Sequence, residues 1–424
     1  MSDQIFARKV KLEVNPETER ILDGQSRICN WLFNHLLQMC DDDFEMGKPR
    51  QLLQGRNLRN QVPLLKQEFP FLKAVHASPL KNVALRLKQS FKDFFQIQER
   101  GKPHFRSWKD DWFSLQFEDK RTGWKLDGRN LQISLGTGID RKRHSVKVKL
   151  AEPLKLAKSH SIKGMRLIKE DEQFVAVFTI QDQAKARKPI SRSIFIDPNC
   201  KNLAVAIDSE GKSIEFSRLP MTKFFDNQID QLKSKRDKCK KKSLFVPTGG
   251  KGFWKPSKRW QRVNRAIRKL RRAKREQTKQ CFFTTANWIA RNFDAVAFGD
   301  WSPSLETATQ KTMHRSMLNQ TMIAQFRRIT DWVMQRSGKT FIEVDERNST
   351  ATCCKCGDFE KKSPEIREFT CKNCSAHLSR DINAAVNHGL KSGLLPGSGW
   401  QEWNLSIPDQ IVHWNPWDCQ WQIN

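Results

Sequence analysis

Residues 7–14, ARKVKLEV, alternate cations with apolar side chains, the period of a strand with one buried face. The period then changes: Ile21, Ile28, Leu32, Leu36 and Met39 recur at helical spacing. A second helical stretch is expected through about 51–75. Pro79 opens a third near 80–98, with Val83, Leu87, Phe91 and Phe94 on one face. Strand alternation returns in NLQISLG, HSVKVKL and QFVAVFTIQ, punctuated by Gly and Asp turns. The pattern predicts a β-barrel or curled sheet, split after its first strand by a helical insertion.

A new unit is expected from about 191. SIFIDPNCKNLAVAIDSEGK reads as two buried strands joined by a short turn, followed by a hairpin turn at Ser209-Glu210-Gly211. Basic helices are expected at 221–243 and about 257–292, separated by the glycine-containing VPTGGKGFWKP. In the second helix Val263, Ile267, Leu270 and Ala273 mark one face, while RKLRRAKR supplies cations elsewhere. A strand DAVAFGD ends at Asp300, and a helix at about 316–337 precedes the strand TFIEVDE. A cysteine cluster interrupts the unit, and SRDINAAVNHGL resumes it as a helix. Past 391 the chain is Gly-, Pro- and Trp-rich, with five Trp in its last 25 residues and no periodicity that assigns an element.

Charge narrows the function. Lys and Arg number 76 against 46 Asp and Glu over 424 residues, a net charge of +30. The excess runs along nearly the whole chain, as a polyanion partner requires, because neutralised phosphates release counterions. In ERGKPHFRSWKDDW, residues 99–112, cations alternate with aromatics. Such a segment suits phosphate pairing with base stacking, with Arg106 and Trp108 as candidates, or an ordinary loop anchored by its rings. Arg268, Arg271 and Arg272 of the long basic helix are further candidates for nucleic-acid contact. No apolar run reaches membrane-spanning length, and the opening MSDQIFARKVKLEV lacks the apolar core of a signal peptide, so a cytoplasmic protein without membrane partners is expected. The chain has no Tyr, a fact without a physical account.

Two groups of residues carry chemistry. Five of eleven cysteines fall between Cys353 and Cys374, which points to metal in a reducing compartment, not to a disulfide framework. Cys353–Cys356 and Cys371–Cys374 form two C-x-x-C knuckles with 14 residues between them. Four thiolates at tetrahedral reach predict one structural Zn²⁺, leaving Cys354 spare; His377 is close enough in sequence to replace one thiolate. The second group is scattered carboxylates: Asp197 closes the strand SIFID, and Asp381 starts the helix in SRDINAA. Hydrolysis of a phosphodiester by two metals needs acids from distant segments to converge around paired divalent ions.

The order of elements resembles that of TnpB proteins, transposon-encoded nucleases related to type V CRISPR effectors. The resemblance rests on ILDGQSRICNWLFNHLL, GKPHFRSW, IDPNCKNLAVA, the ribbon cysteines and RDINAA, and covers residue 5 to about 390. It implies an α+β multidomain fold: a wedge β-barrel (1–16 and 99–190) with a helical recognition insertion (17–98), and an RNase-H-like RuvC α/β domain (191–345, with its final helix at 378–390). A zinc ribbon that binds target nucleic acid (346–377) interrupts the latter, and a Trp-rich tail (391–424) follows. The family usually carries a catalytic Glu where this chain has Gly299. Some members carry it instead before the second cysteine pair, where Glu368 stands here. The resemblance therefore implies Asp197, Glu368 and Asp381 as the catalytic set, with Asp300 as the alternative to Glu368. Carboxylate oxygens suit Mg²⁺ or Mn²⁺. The implied function is RNA-guided cleavage of double-stranded DNA beside a short flanking motif, by one protein monomer per guide RNA from its own locus. A nuclease-dead RNA-guided repressor and a miniature type V CRISPR effector are the alternatives.

Overall fold

The computed structural model describes residues 4–47, 50–107, 112–137, 142–183, 185–199, 201–239, 244–246, 253–300, 322–363, 365–395 and 399–423. The chain divides into two compact units, 1–184 and 185–424.

In the first unit, strand β1 (Gln4–Glu13) leads into helix α1 (Pro16–Glu45). Asn15 caps α1, its side chain accepting the Thr18 N–H at 2.8 Å, and Pro16 supplies a helical φ without wasting a donor. Helices α2 (Asn57–Glu68) and α3 (Ala77–Gln96) follow, with a 3-10 turn at Pro70–Ala74 between them. Then come β2 (Leu115–Phe117), β3 (Trp124–Asp127), β4 (Asn130–Thr137), β5 (Arg143–Leu150), β6 (Ser161–Glu170) and β7 (Gln173–Asp182). They form one seven-stranded sheet in the order β2-β6-β7-β1-β5-β4-β3. The ladder is open at β2 and β3, which makes the sheet a curled half-barrel, not a closed barrel. Both edges are strands of three and four residues, too short to carry a closing ladder. Strand β6 escaped the alternation test because its register shifts between Ile162 and Gly164, and a bulge breaks the two-residue period.

The second unit holds β8 (Ser193–Pro198), β9 (Ala204–Asp208), β10 (Ser213–Phe216), helix α4 (Pro220–Cys239), a short hairpin of β11 (Leu244–Val246) and β12 (Phe253–Lys255), and helix α5 (Lys258–Asn292). Next come β13 (Ala295–Gly299), α6 (Ile323–Arg336), β14 (Thr340–Val344), β15 (Glu368–Thr370), β16 (His377–Ser379), α7 (Arg380–Ser392), β17 (Gln410–Asn415) and β18 (Gln420–Ile423). The main sheet runs β14-β13-β8-β9-β10-β17-β18, with β13 parallel to both β8 and β14. The tail, unassigned from its sequence, thus supplies two strands: β17 pairs parallel with β10, and β18 returns antiparallel. Its tryptophans do the packing. Trp414 and Trp421 join the core beneath α5, and the Trp421 indole N–H donates to Thr285 Oγ1 at 2.9 Å.

Alternation along the central strands sorts this unit into two layers. Ile194, Ile196, Val296 and Phe298 face a core built with α4, α5 and α6. Phe195, Val205, Ile207 and Ala297 face the other way, toward α7 and the cysteine ribbon. The basic helices α4 and α5 are tied by Lys274, whose ammonium lies 2.7 Å from Asp226. Among the described residues, no helix is long and apolar enough to cross a membrane.

Candidate metal centre

Asp197 follows Phe195 by two on β8, so alternation turns its carboxylate to the α7 side of the sheet. Helix α7 lies close there because Gly389 has no side chain: a Cβ would sit 2.8 Å from the Phe195 ring. Asp197 is only 5% exposed. Burial pushes its carboxyl well above the ordinary carboxylate range, and the nearby Glu346 and Asp381 push it further. Several carboxyls crowding one buried acid is the electrostatic signature of a cation site.

Asp381 occupies the first turn of α7, where the helix dipole favours an anion. Asn199 Nδ2 donates to its Oδ2 at 2.8 Å, and Arg367 Nη1 donates to both oxygens at 3.3 Å. Burial raises its pKa, while Arg367 and Arg380 pull in the opposite direction. The structure thus brings Asp197 and Asp381 into one electrostatic group.

Glu346 is the member that the sequence did not reveal. It lies just past β14, and one of its carboxylate oxygens falls within 4.8 Å of ligand atoms of Asp197 and His388. Gly299 ends the neighbouring strand, and a Cβ there would lie 2.7 Å from Glu346 Cγ and 2.8 Å from Cδ. Asp300 positions this corner: its N–H donates to Val344 O at 2.8 Å, and its Oδ1 accepts the Glu346 N–H at 3.0 Å. The available signal was register, since Gly299 pairs with Val344, two residues before Glu346.

Glu368 stands elsewhere. It begins β15, opposite Ser379 in the ribbon hairpin, with its buried neighbour Phe369 facing the core. Its side chain is 56% exposed and lies 3.6 Å from His377 Nε2. It is Arg367, one residue earlier, that reaches Asp381. Among the described residues, the ligand group around Asp197 contains Glu346 and His388 and contains neither Asp381 nor Glu368; Asp381 is tied to it by charge, as one of the groups that raise the Asp197 pKa.

His388 is fully buried on α7, its Nδ1 3.1 Å from the Ile196 carbonyl oxygen. Burial pulls its pKa down to about 4, so the ring is neutral at physiological pH.

The four ribbon cysteines converge as expected. Cys353 and Cys374 Sγ are 3.7 Å apart, and Cys356 and Cys371 Sγ 3.6 Å. Tetrahedral thiolates on one ion would stand about 3.8 Å apart, from a metal–sulfur bond of about 2.3 Å. The Asp358 N–H helps bring the Cys356 thiol down to about 7. Cys354 is buried and outside the cluster; its N–H donates to Asn383 Oδ1 at 2.8 Å. Asn383 and Asn387 of α7 also donate to the carbonyls of Ser349 and Thr352, so the ribbon base is clamped to the helix that carries Asp381.

Of the nucleic-acid candidates, Arg268 and Arg271 are exposed on α5, and Arg272 is half-buried. Arg106 is held to α1: its Nε donates to Asn30 at 3.1 Å, and its guanidinium lies over Phe33 and Phe113. Trp108 lies outside the described residues.

Comparison with known proteins agrees with this layout. Residues 324–388, which include the ribbon, Asp381 and Glu346, match the family model described as Cas12f1-like, TNB domain. A cryo-EM structure of a Cas12f1–sgRNA–target DNA complex aligns over 91% of this chain and 98% of that chain, with TM-score 0.52 and 14% identity. At that identity the likeness is one of fold: the chain has the α+β fold of Cas12-type effectors. Three TnpB-like proteins of Acanthamoeba polyphaga mimivirus are each 28% identical over 144 residues, 33% of this chain and 27% of theirs. The chain therefore spans about a quarter of the length of these relatives. The chain is thus similar to TnpB-like proteins and, in fold, to type V effectors.

Proposed function

We propose that the protein is an RNA-guided DNA endonuclease whose RuvC-like centre is held by Asp197, Asp381 and Glu346. The observation that carries this reading is that Asp197 of β8 and Glu346 after β14 share one potential ligand group, with Asp381 of α7 close enough to raise the Asp197 pKa further. The sheet order and the parallel β13–β8 pairing support an RNase-H-like assignment for the second unit. Asp197, Asp381 and Glu346 would hold paired Mg²⁺ or Mn²⁺ ions, which would supply an activated water and stabilisation of the leaving oxygen. The chain's own part is to bring the acids together, to hold Asp381 through Asn199, and to hold the Glu346 backbone through Asp300. Glu368 remains a second candidate for the third acid, and Asp300 a further one.

The four thiolates bind one structural Zn²⁺ in this reading, and the residues fit it by donor type and spacing. Guide RNA and double-stranded DNA are the partners, in the cytoplasm, one protein monomer per guide from the protein's own locus. The curled sheet of the first unit acts as the wedge and α1–α3 as the recognition insertion. Residues 346–377 contact target nucleic acid, and the exposed cations of α5 meet phosphates. The repressor alternative drew its support from the missing acid at 299; the carboxylate of Glu346 beside that position favours the nuclease reading instead.

The test is to purify the chain from cells carrying its own locus, sequence the bound RNA, and challenge the complex with matching DNA and Mg²⁺ or Mn²⁺. Recovery of one RNA with a variable 3′ segment and guide-dependent cutting, lost in Asp197→Ala, is expected. Recovery of random RNA would overturn it. A source locus beside a CRISPR array, in place of a transposon end, would assign it to the miniature effectors.

A further inference from the structure

We propose that His388 is a nitrogen ligand of the divalent-metal centre, beside Asp197 and Glu346, and that it shifts the centre's preference toward Mn²⁺ over Mg²⁺. The inference rests on the nuclease reading of that centre and adds a ligand to it.

The first observation is the tautomer. Nδ1 lies 3.1 Å from the Ile196 carbonyl oxygen, and a carbonyl only accepts, so Nδ1 carries the proton. Nε2 then holds a bare lone pair. The second observation is isolation: His388 is 0% exposed, and among the described residues its Nε2 has no hydrogen-bond partner. A buried polar atom left this way is destabilising unless something meets it. The third is convergence: ligand atoms of Asp197, Glu346 and His388 all lie within 4.8 Å of one another.

The backbone explains how a histidine two turns beyond Asp381 reaches the site. Gly389 lets α7 press on Phe195, which seats His388 against the carbonyl that immediately precedes Asp197. An imidazole whose other nitrogen donates to a backbone carbonyl is the usual arrangement of a metal-ligating histidine, because that bond fixes ring orientation and raises basicity. The chemistry also sets the ion. Mg²⁺ favours oxygen donors and keeps much of its water, whereas imidazole suits the transition metals better. A solvent molecule held by Nε2 is the competing occupant.

The test uses the full-length protein with heavy-nitrogen label only in its histidines, so that nitrogen from nucleic acid does not contribute, and Mn²⁺ as the probe. Pulsed electron paramagnetic resonance should report a coupling between Mn²⁺ and labelled imidazole nitrogen. His388→Asn can keep a donor near the Nδ1 position and removes the ligand. It should lose the coupling and weaken Mn²⁺ binding about 10- to 100-fold, with a smaller effect on Mg²⁺. His388→Gln, which can place a carbonyl oxygen near the Nε2 position, should lose the coupling yet bind Mg²⁺ at least as well as the wild type. Wild-type protein that binds Mn²⁺ in an Asp197-dependent way without nitrogen coupling would overturn the His388 assignment and leave the nuclease reading standing. Wild-type protein that binds no Mn²⁺ at this centre would overturn both.

Discussion

The carboxylate of Glu346 fills the space that a side chain on Gly299 would occupy: a Cβ added at 299 would lie 2.7 Å from Glu346 Cγ. The two residues end or follow adjacent parallel strands, β13 and β14, so either strand can deliver an acid to the same point. Alternation places Gly299 on the face of Ala297, toward α7. A carboxylate delivered from the next strand requires this position to be empty, and glycine leaves it so. The Asp300 carboxylate, accepting the Glu346 N–H, sets the turn that carries Glu346 across.

That exchange is testable by moving the acid back. Glu346→Gln keeps the volume and removes the charge, and should reduce DNA cleavage by about 100-fold or more, the scale of losing a group that stabilises developing charge. Gly299→Glu alone should misfold this corner, because two side chains compete for one space. Gly299→Glu combined with Glu346→Gly should recover part of the cleavage rate. Glu368→Gln is the comparison: with its side chain exposed beside His377, it should cut at close to the wild-type rate. If Glu368→Gln is dead and Glu346→Gln cuts normally, the third acid is Glu368.

The contrast between Glu346 and Glu368 marks what was legible in the sequence. Asp197 and Asp381 stood out because each sits at a strand end or helix start with a distinct local pattern. The cysteines stood out because ligand spacing is a local property. Glu346 closes the expected strand TFIEVDE as Asp197 closes SIFID, but that local pattern does not say which acid reaches Asp197: this depends on the register of β13 against β14, which only the paired strands specify. For the same reason the tail was unreadable. Its strands are short, and what places them is a parallel ladder to β10, nearly 200 residues earlier in the chain, together with Trp414 and Trp421 packing beneath α5. The long helices α1, α3 and α5 were legible, since each buries an apolar stripe at helical spacing along its length.

The Asn383 and Asn387 clamp predicts that the ribbon and helix α7 share their stability. Asn383 alone accepts the Cys354 N–H and donates to two carbonyls. Asn383→Ala leaves the buried Cys354 N–H without its acceptor, while Asn387 still donates to both carbonyls, and should cost about 1–3 kcal/mol. Cys371→Ser should release metal and raise amide exchange through residues 345–378. Zinc content by elemental analysis, with hydrogen exchange on the same samples, checks both. Protein purified without chelators yet lacking zinc would rule out the metal ribbon.

The cations of α5 predict a salt-dependent contribution to binding. Reversing Arg268, Arg271 and Arg272 to Glu should weaken guide RNA or heteroduplex binding without unfolding the protein. Losing about three phosphate contacts should reduce the log–log salt slope by roughly 2 to 3. Equal slopes for the two proteins, measured from low to moderate salt, would exclude this helix from the nucleic-acid path.

Asp197 gives the metal centre a signature in stability. Burial first, then Glu346 and Asp381, raise its folded pKa above the unfolded value. The folded state therefore holds the Asp197 proton more tightly than the unfolded chain does. The resulting penalty is absent below the ordinary carboxyl range, near about pH 4, and grows as pH rises toward the folded pKa, where it is complete. Asp197→Asn removes the titration. In metal-free protein the wild type should lose melting temperature relative to Asp197→Asn as pH rises from the acid side. Saturating Mn²⁺ should reverse the order at neutral pH, because an ion that binds only the folded state stabilises the wild type and finds too few charges in the variant. Thermal melts of both proteins across pH, with and without Mn²⁺, make the comparison. Parallel melting curves under all conditions would mean that Asp197 neither carries strain in the metal-free fold nor binds the ion.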